Sequence, residues 1–483
     1  MNKLTEVALG ILLVLLDTGF VRATISGEQT AKILYVNNQY PQASDQNPGT
    51  EDLPLKTINT AAGIARQNQM NNIGTKIVIY PGTYRERIDL SIYGPINKDV
   101  PIIFEGKEKG KVIVSGSDIW NGWMRQGNTD IYTHPWPYKW GLAPYPASWE
   151  RNVVLKPIVR RREMIFVNGY ALEQVISFEE LKEGRFYVSE DDGIVYIWLS
   201  PGTNINKTII EVAVRSGLFY AKGKRNIGLR GLTFQHDNTP LDGAAVQFVD
   251  SSNILVEDSR FLWNNWTGLA LGVSQSVTAR RNVANHNGGG GMATYKIKTL
   301  LFEDNETSYN NWRGAKGGFL GWAVAGIKNM RIRDGVYRRH KSVGNQTRGF
   351  WLDFDNANIL IEAASWCDNL TNGIFIEASQ GPITIRDSLI CRNRKYGIQT
   401  TNSSAVTLAG NTIRANGGSQ IRVTGDVERA VTNWETGEQR RLKVEHWTLQ
   451  ENVIVGEDAR QLLLDTPGWG HFLGSLASQS NGW

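Results

Sequence analysis

Two carboxylates, Asp353 and Glu377, stand 24 residues apart in matching settings, each four residues after a glycine: Gly349-Phe350-Trp351-Leu352-Asp353 and Gly373-Ile374-Phe375-Ile376-Glu377. Side chains alternate between the faces of an extended strand, so Phe350 and Leu352 point one way, with Ile374 and Ile376. Trp351 and Asp353 point the other way, with Phe375 and Glu377. Were the two strands parallel neighbours, their acids would lie about 5 Å apart. Like charges that close raise one pKa, leaving one carboxyl protonated as a general acid and the other ionised. Cleavage of a glycosidic bond with retention uses such a spacing, whereas inversion needs roughly 6.5 to 9.5 Å to admit a water. A purely structural surface avoids stacking unpaired acids, so the pair reads as a reaction centre, and Trp351, Phe375 and Tyr295 on the same face read as contacts to a substrate.

The strands that carry these acids belong to a repeat. β-rich octads at 227–234, 254–261, 277–284, 300–307, 330–337, 359–366, 383–390 and 406–413 start 27, 23, 23, 30, 29, 24 and 23 residues apart, and a further copy begins at Trp447. Ten residues after each start stand Asp237, Asn264, Asn287, Asn310, His340, Asn369, Asn393 and Asn416. Asn tolerates the left-handed backbone of a tight turn, and stacked amides hydrogen-bond from one turn to the next. The expected fold is therefore all-β, a right-handed parallel β-helix whose turns are stable only as a stack. A second strand per turn starts at Gly268, Gly291, Gly321, Gly349, Gly373 and Gly397, a register that places Trp322 on the core face. His286 and His340 lie at or beside the asparagine column and read as structural. The expected domains are a leader at 1–23, the start of the coil at 24–119, an inserted β-sandwich-like domain at 120–215, the main coil at 216–460 and a tail at 461–483. Cys367 and Cys391, one repeat apart, are placed to form a disulfide or to pack as reduced thiols.

Composition narrows the class of function. With 483 residues, 41% of them hydrophobic, the chain can bury a large core. Lys and Arg (52) exceed Asp and Glu (47) by five, spread along the chain, so no nucleic-acid footprint is expected. Lys3, the apolar run at 7–16 and Ala23 form an export signal, which places the mature protein outside the cell or in a periplasm, free of the membrane.

The segment Gly349-Phe350-Trp351-Leu352-Asp353-Phe354, followed by Phe375-Ile376-Glu377-Ala378-Ser379-Gln380-Gly381-Pro382, resembles the active-site pair of β-helix glycoside hydrolases, the β-xylosidase family and its fucosidase and xylanase relatives. Those enzymes also interrupt the coil with a β-sandwich. The resemblance implies that Asp353 is the nucleophile and Glu377 the general acid/base, acting on a polysaccharide or oligosaccharide without a cofactor. The chain departs from that pattern at Gln380, where those enzymes carry a His, and at Asp355, which replaces their second aromatic. Asp355 thus becomes a candidate partner of the site or a sharer of the nucleophile's role.

Further candidates are Trp312 and Arg313, in a loop that could cover the site, the first stacking on a sugar and the second contacting an acidic one. Lys328 and Arg348 flank the acids and could orient them. Two rivals use the same fold differently. A polysaccharide lyase would hold Ca²⁺ on Asp353, Asp355 and Glu377, with Lys328 or Arg348 as base. A non-catalytic surface protein would bind polysaccharide and release no product.

Overall fold

The computed structural model describes residues 25, 29–91, 94, 98–147, 149–456 and 460–482; the expected leader at 1–23 lies outside them. The chain winds as a parallel β-coil with three strands per turn. One face carries Ala244–Val249, Arg348–Asp353, Ile374–Glu377, Tyr396–Thr401 and Ser419–Thr424. The octads form the second face, with Ala357–Glu362 over Ile383–Arg386 over Val406–Ala409. Short strands such as Ser365–Cys367 and Leu389–Cys391 make the third. Three of the long strands, Thr267–Arg280, Met292–Glu303 and Ala325–Arg338, bend from the first face onto the second without a break. Inside run continuous apolar columns: Val246, Leu269, Met292, Ile327, Phe350, Ile374, Ile398 and Ile421 are register partners and all buried. Cys367 and Cys391 face each other on adjacent strands and are joined by a disulfide.

The asparagine column exists and is more regular than the sequence spacing implied. Nδ2 of each residue donates to Oδ1 of the next at 2.9 to 3.0 Å along Asn264, Asn287, Asn310, Asn345, Asn369, Asn393 and Asn416. The member between Asn310 and Asn369 is Asn345, not His340. Its turn was misread by five residues, because the register partner of Leu300 and Ile359 is Gly335. The cause is an excursion after Asn310 that includes the short helix Trp312–Lys316 and lengthens this turn to 35 residues. His340 instead accepts a place in the interior, within 2.9 Å of Thr307 Oγ1 and stacked on Trp366, and burial pushes its imidazole down to about 3.

Asn345→Ala removes an amide that both receives the Asn310 side chain and donates to Asn369 and Thr307 O. With those buried groups left unpaired, the substitution is expected to cost about 2 to 4 kcal/mol, read as a lower midpoint of chemical unfolding.

At the N-terminal end, helix Ile58–Met70, capped by the Thr57 side chain, seats Ile58, Ala61, Ala62 and Ala65 in the core and closes the mouth of the coil. No repeat announced it. At the other end, strand Arg460–Asp465 pairs with Ser419–Thr424, and Ala477–Gln479 with Thr448–Gln450, so the segment read as a tail adds a further turn. Between Ser117–Ile119 and Ile210–Ala213 the chain builds two sheets, one antiparallel and one mixed, around Trp123, Trp136, Phe186, Val195 and Ile197.

Candidate active site

The outward columns of the first face hold the chemistry. One runs Ala293, Lys328, Trp351, Phe375, Gln399 and Arg422; the other runs Tyr295, Met330, Asp353, Glu377, Thr401 and Thr424. Asp353 and Glu377 are register partners on adjacent parallel strands, one strand spacing of about 4.8 Å apart. They face a cleft of about 910 Å³. Its floor is the sheet, and its walls come from Trp149, from 321–323 and from Arg429.

Each acid has its own cation. Lys328 Nζ donates to Asp353 Oδ2 at 2.9 Å, and Arg429 Nη1 donates to Glu377 Oε1 at 2.9 Å. Burial pushes the Glu377 carboxyl above the usual range, and the negative charge of Asp353 pushes it further, against the opposing pull of Arg429 and Arg348. Two carboxylates on neighbouring strands are thereby made unlike, one paired with an ammonium and one biased towards its protonated form. Arg429→Gln removes the direct hydrogen bond that holds Glu377 down. The alkaline limb of the pH profile of kcat/KM is expected to move to higher pH in this variant, because a Glu377 that keeps its proton longer stays competent as an acid.

Trp351 and Phe375 lie beneath these groups rather than open to a ligand. Lys328 Nζ sits 4.0 Å and Arg348 Cζ 4.1 Å from the centre of the Trp351 ring, and Arg348 Cζ is 4.9 Å from that of Phe375. The two aromatics, 5% and 8% exposed, hold the cations by cation–π contact. The aromatic residues of the cleft that stay exposed are Trp322 and Tyr295, 42% and 37% exposed, the latter with Lys296 and Arg331 over its ring. Trp322 was expected in the core; it lies in the excursion before strand Ala325–Arg338, where Gly326, not Gly321, precedes the core residue Ile327.

Asp355 is not at the reaction face. Its backbone is left-handed (φ 53°), which turns the carboxylate to Arg333 Nη2 (2.9 Å), Gln380 Nε2 (2.7 Å) and the backbone N–H of Trp434 (2.8 Å). It anchors the hairpin of Arg429–Thr432 and Gln439–Leu442, and Gln380 accepts from Arg440 of the same hairpin. Glu435 adds ion pairs to Lys298 and Arg333, both 2.7 Å. That clamp is what holds Arg429 over Glu377. Because Asp355 points away, the three acids that a calcium ion would need do not converge.

Trp312 and Arg313 do not cover the site either. Trp312 packs on the cluster of Met164, Phe166 and Ala213, and the buried Arg313 donates to Gln174 Oε1 and Glu163 O at 2.8 Å each. Burial lowers Arg313 to about 10. The pair bolts the inserted sheets to the coil. Two charged cleft residues escaped the sequence reading altogether. Arg429 sits in an aperiodic, charged excursion that no repeat could place, and Asp242 sits in a turn at φ 63° facing the same cleft as Lys328. Burial raises the Asp242 carboxyl, opposed by Lys328.

The fold and the site define the chain as a right-handed parallel β-helix protein with an acid pair on an outward face. The family model for the right handed beta helix region matches residues 184–324 and 244–413. Among solved structures, the complex of XylC with xylose is similar over 88% of this chain and 76% of that one, at 16% identity and a TM-score of 0.69. A structure described as a glycoside hydrolase is similar over 94% and 97%, at 15% identity and a TM-score of 0.57. Over 94 residues the chain is 34% identical to the uncharacterized protein YwoF of Bacillus subtilis (strain 168), a stretch that spans 20% of this chain and 18% of that protein.

Proposed function

We propose that the protein is an exported glycoside hydrolase that cleaves a polysaccharide or oligosaccharide with retention of configuration, Asp353 acting as nucleophile and Glu377 as general acid/base. The observation that carries this reading is the register pairing of the two acids with different electrostatic partners at the floor of one cleft. Backbones one strand spacing apart favour a carboxyl separation near the roughly 5 to 5.5 Å of direct attack by a carboxylate over the roughly 6.5 to 9.5 Å of base-assisted attack by water. Asp353, beside Lys328, supplies the negative charge that attacks the anomeric carbon. Glu377 gives its proton to the leaving oxygen, then takes one back from the water that releases the sugar. Trp322 offers a flat apolar face of the kind that sugar rings stack against. Similarity of fold to the xylose complex of XylC and to a glycoside hydrolase supports carbohydrate as the substrate. Export is supported by the apolar leader and by a disulfide, which persists in an oxidising compartment.

The test is a panel of nitrophenyl glycosides and plant or algal polysaccharides, scored for reducing ends and for the ultraviolet absorbance of unsaturated sugars. New reducing ends without that absorbance, insensitive to chelator, are expected. Unsaturated products lost with chelator would replace hydrolysis by elimination. Binding without any product would leave a carbohydrate-binding surface.

A further inference from the structure

Beside the acid pair lies a second cleft, of about 340 Å³, which shares Gly321 and Arg348 with the first. Its lining is cationic, with Arg348 from strand Arg348–Asp353, Arg394 and Lys395 from the bend before Tyr396–Thr401 and Arg422 from Ser419–Thr424, and no carboxylate lines it among the described residues. Arg422 is engaged, stacked on Tyr396, donating to its hydroxyl at 2.7 Å and pairing with Asp465. Arg394 and Lys395, both exposed, make no ion pair among the described residues.

Several polar atoms here are buried and unpartnered. They are Thr371 Oγ1 and Asn372 Oδ1, on residues 6% and 4% exposed, with Arg348 Nε and Nη1 and Arg422 Nε. Buried polar atoms without partners cost stability; the guanidinium donors and the unpaired cations call for a ligand that brings acceptors and negative charge, and Asn372 Oδ1, which only accepts, calls for a hydroxyl donor on the same ligand. Arg422 has Asp465, and the outward pairs Arg392–Asp368 and Arg339–Asp304 elsewhere on the coil are likewise matched, whereas Arg394 and Lys395 are left without a carboxylate among the described residues. Arg348 links the two clefts, since its guanidinium lies over Trp351 and Phe375, the neighbours of Asp353 and Glu377 along their strands. Burial lowers Arg348 to about 10, and the charges of Glu377 and Asp353 oppose that fall.

We propose that the second cleft is a subsite for an anionic sugar unit adjoining the bond to be cleaved, so that the substrate is an acidic oligosaccharide or polysaccharide. The inference rests on Asp353 and Glu377 being the hydrolytic pair and adds the class of sugar beside it. The anion is a uronate carboxylate or a sulfate ester, each of which offers the charged acceptors that Arg and Lys bind.

The test measures binding in Asp353→Asn protein, whose turnover is at the background level, by calorimetric titration with three tetrasaccharides: neutral xylotetraose, tetragalacturonate and a sulfated galactan fragment. At least one anionic probe is expected to bind about tenfold or more tightly than the neutral one. The preference is expected to shrink with added salt, and to vanish when Arg394→Gln and Lys395→Gln are added to a protein whose thermal melt is intact. The uronate and sulfate arms identify the anion. Equal binding of all three probes, no binding of either anionic probe, or a preference that survives loss of both cations overturns the subsite. Failure of the hydrolase reading is recorded separately, as absence of new reducing ends with wild-type protein.

Discussion

Asp353→Asn is expected to lower kcat/KM by about ten-thousand-fold or more on every substrate the protein hydrolyses. The amide keeps the shape and much of the packing of a side chain that is only 6% exposed, yet it has no negative charge with which to attack. Lys328, now facing a neutral group, remains held over Trp351 at 4.0 Å, so the variant should fold. A thermal melt close to that of the wild type, with turnover at the background level, is the expected pair of results. Activated leaving groups do not help this variant, because the missing step is formation of the bond to the anomeric carbon.

Glu377→Gln is expected to behave differently, and the contrast is informative. The loss should be about 10²- to 10⁴-fold on substrates with poor leaving groups, which need a proton. It should be much smaller in the first step on dinitrophenyl glycosides, which do not. Added azide, a nucleophile that needs no general base, should then restore release of the enzyme-bound sugar and yield a glycosyl azide. The alkaline limb of the wild-type pH profile should flatten, since it reports the loss of the proton from Glu377. Stability gives an independent check with a definite sign. The folded pKa of Glu377 is raised above the ordinary glutamate value of 4.5, so the stability it contributes is fully present below that value and is lost as pH rises through the folded pKa. The melting temperature of Glu377→Gln relative to wild type should therefore be higher near pH 8 than near pH 4.

The acid pair was legible in sequence because a coil with strict in-and-out alternation leaves little freedom: once Phe350 and Leu352 are assigned to the core, Asp353 must face out beside Glu377. The ladder was legible for the same reason, through a position that recurs every turn. What failed was whatever left the period. Gly321 imitates the glycine that opens each strand, and the octad at 330–337 imitates its neighbours, so the excursion with helix Trp312–Lys316 shifted one turn by five residues. Trp322 was lost to the core and His340 was set in the ladder by that single slip. Arg429 was beyond reach for another reason. Its hairpin is placed by a tertiary clamp of Asp355, Gln380, Arg333 and Glu435, whose spacing in sequence obeys no repeat. Asp355 and Arg313 were read as ligand contacts because a charged residue near a site is a candidate until its partners are known, and both have their partners within the protein.

The most direct test of the mechanism is to trap the covalent sugar. The best nitrophenyl substrate should be converted to its 2-deoxy-2-fluoro glycoside with an activated leaving group, incubated with wild-type protein, and followed by intact mass and peptide mapping. One equivalent of fluorosugar, esterified to Asp353 and absent from Asp353→Asn, is the expected outcome. Label on another residue, or turnover with inversion and no adduct at all, would contradict the assignment of Asp353 as nucleophile.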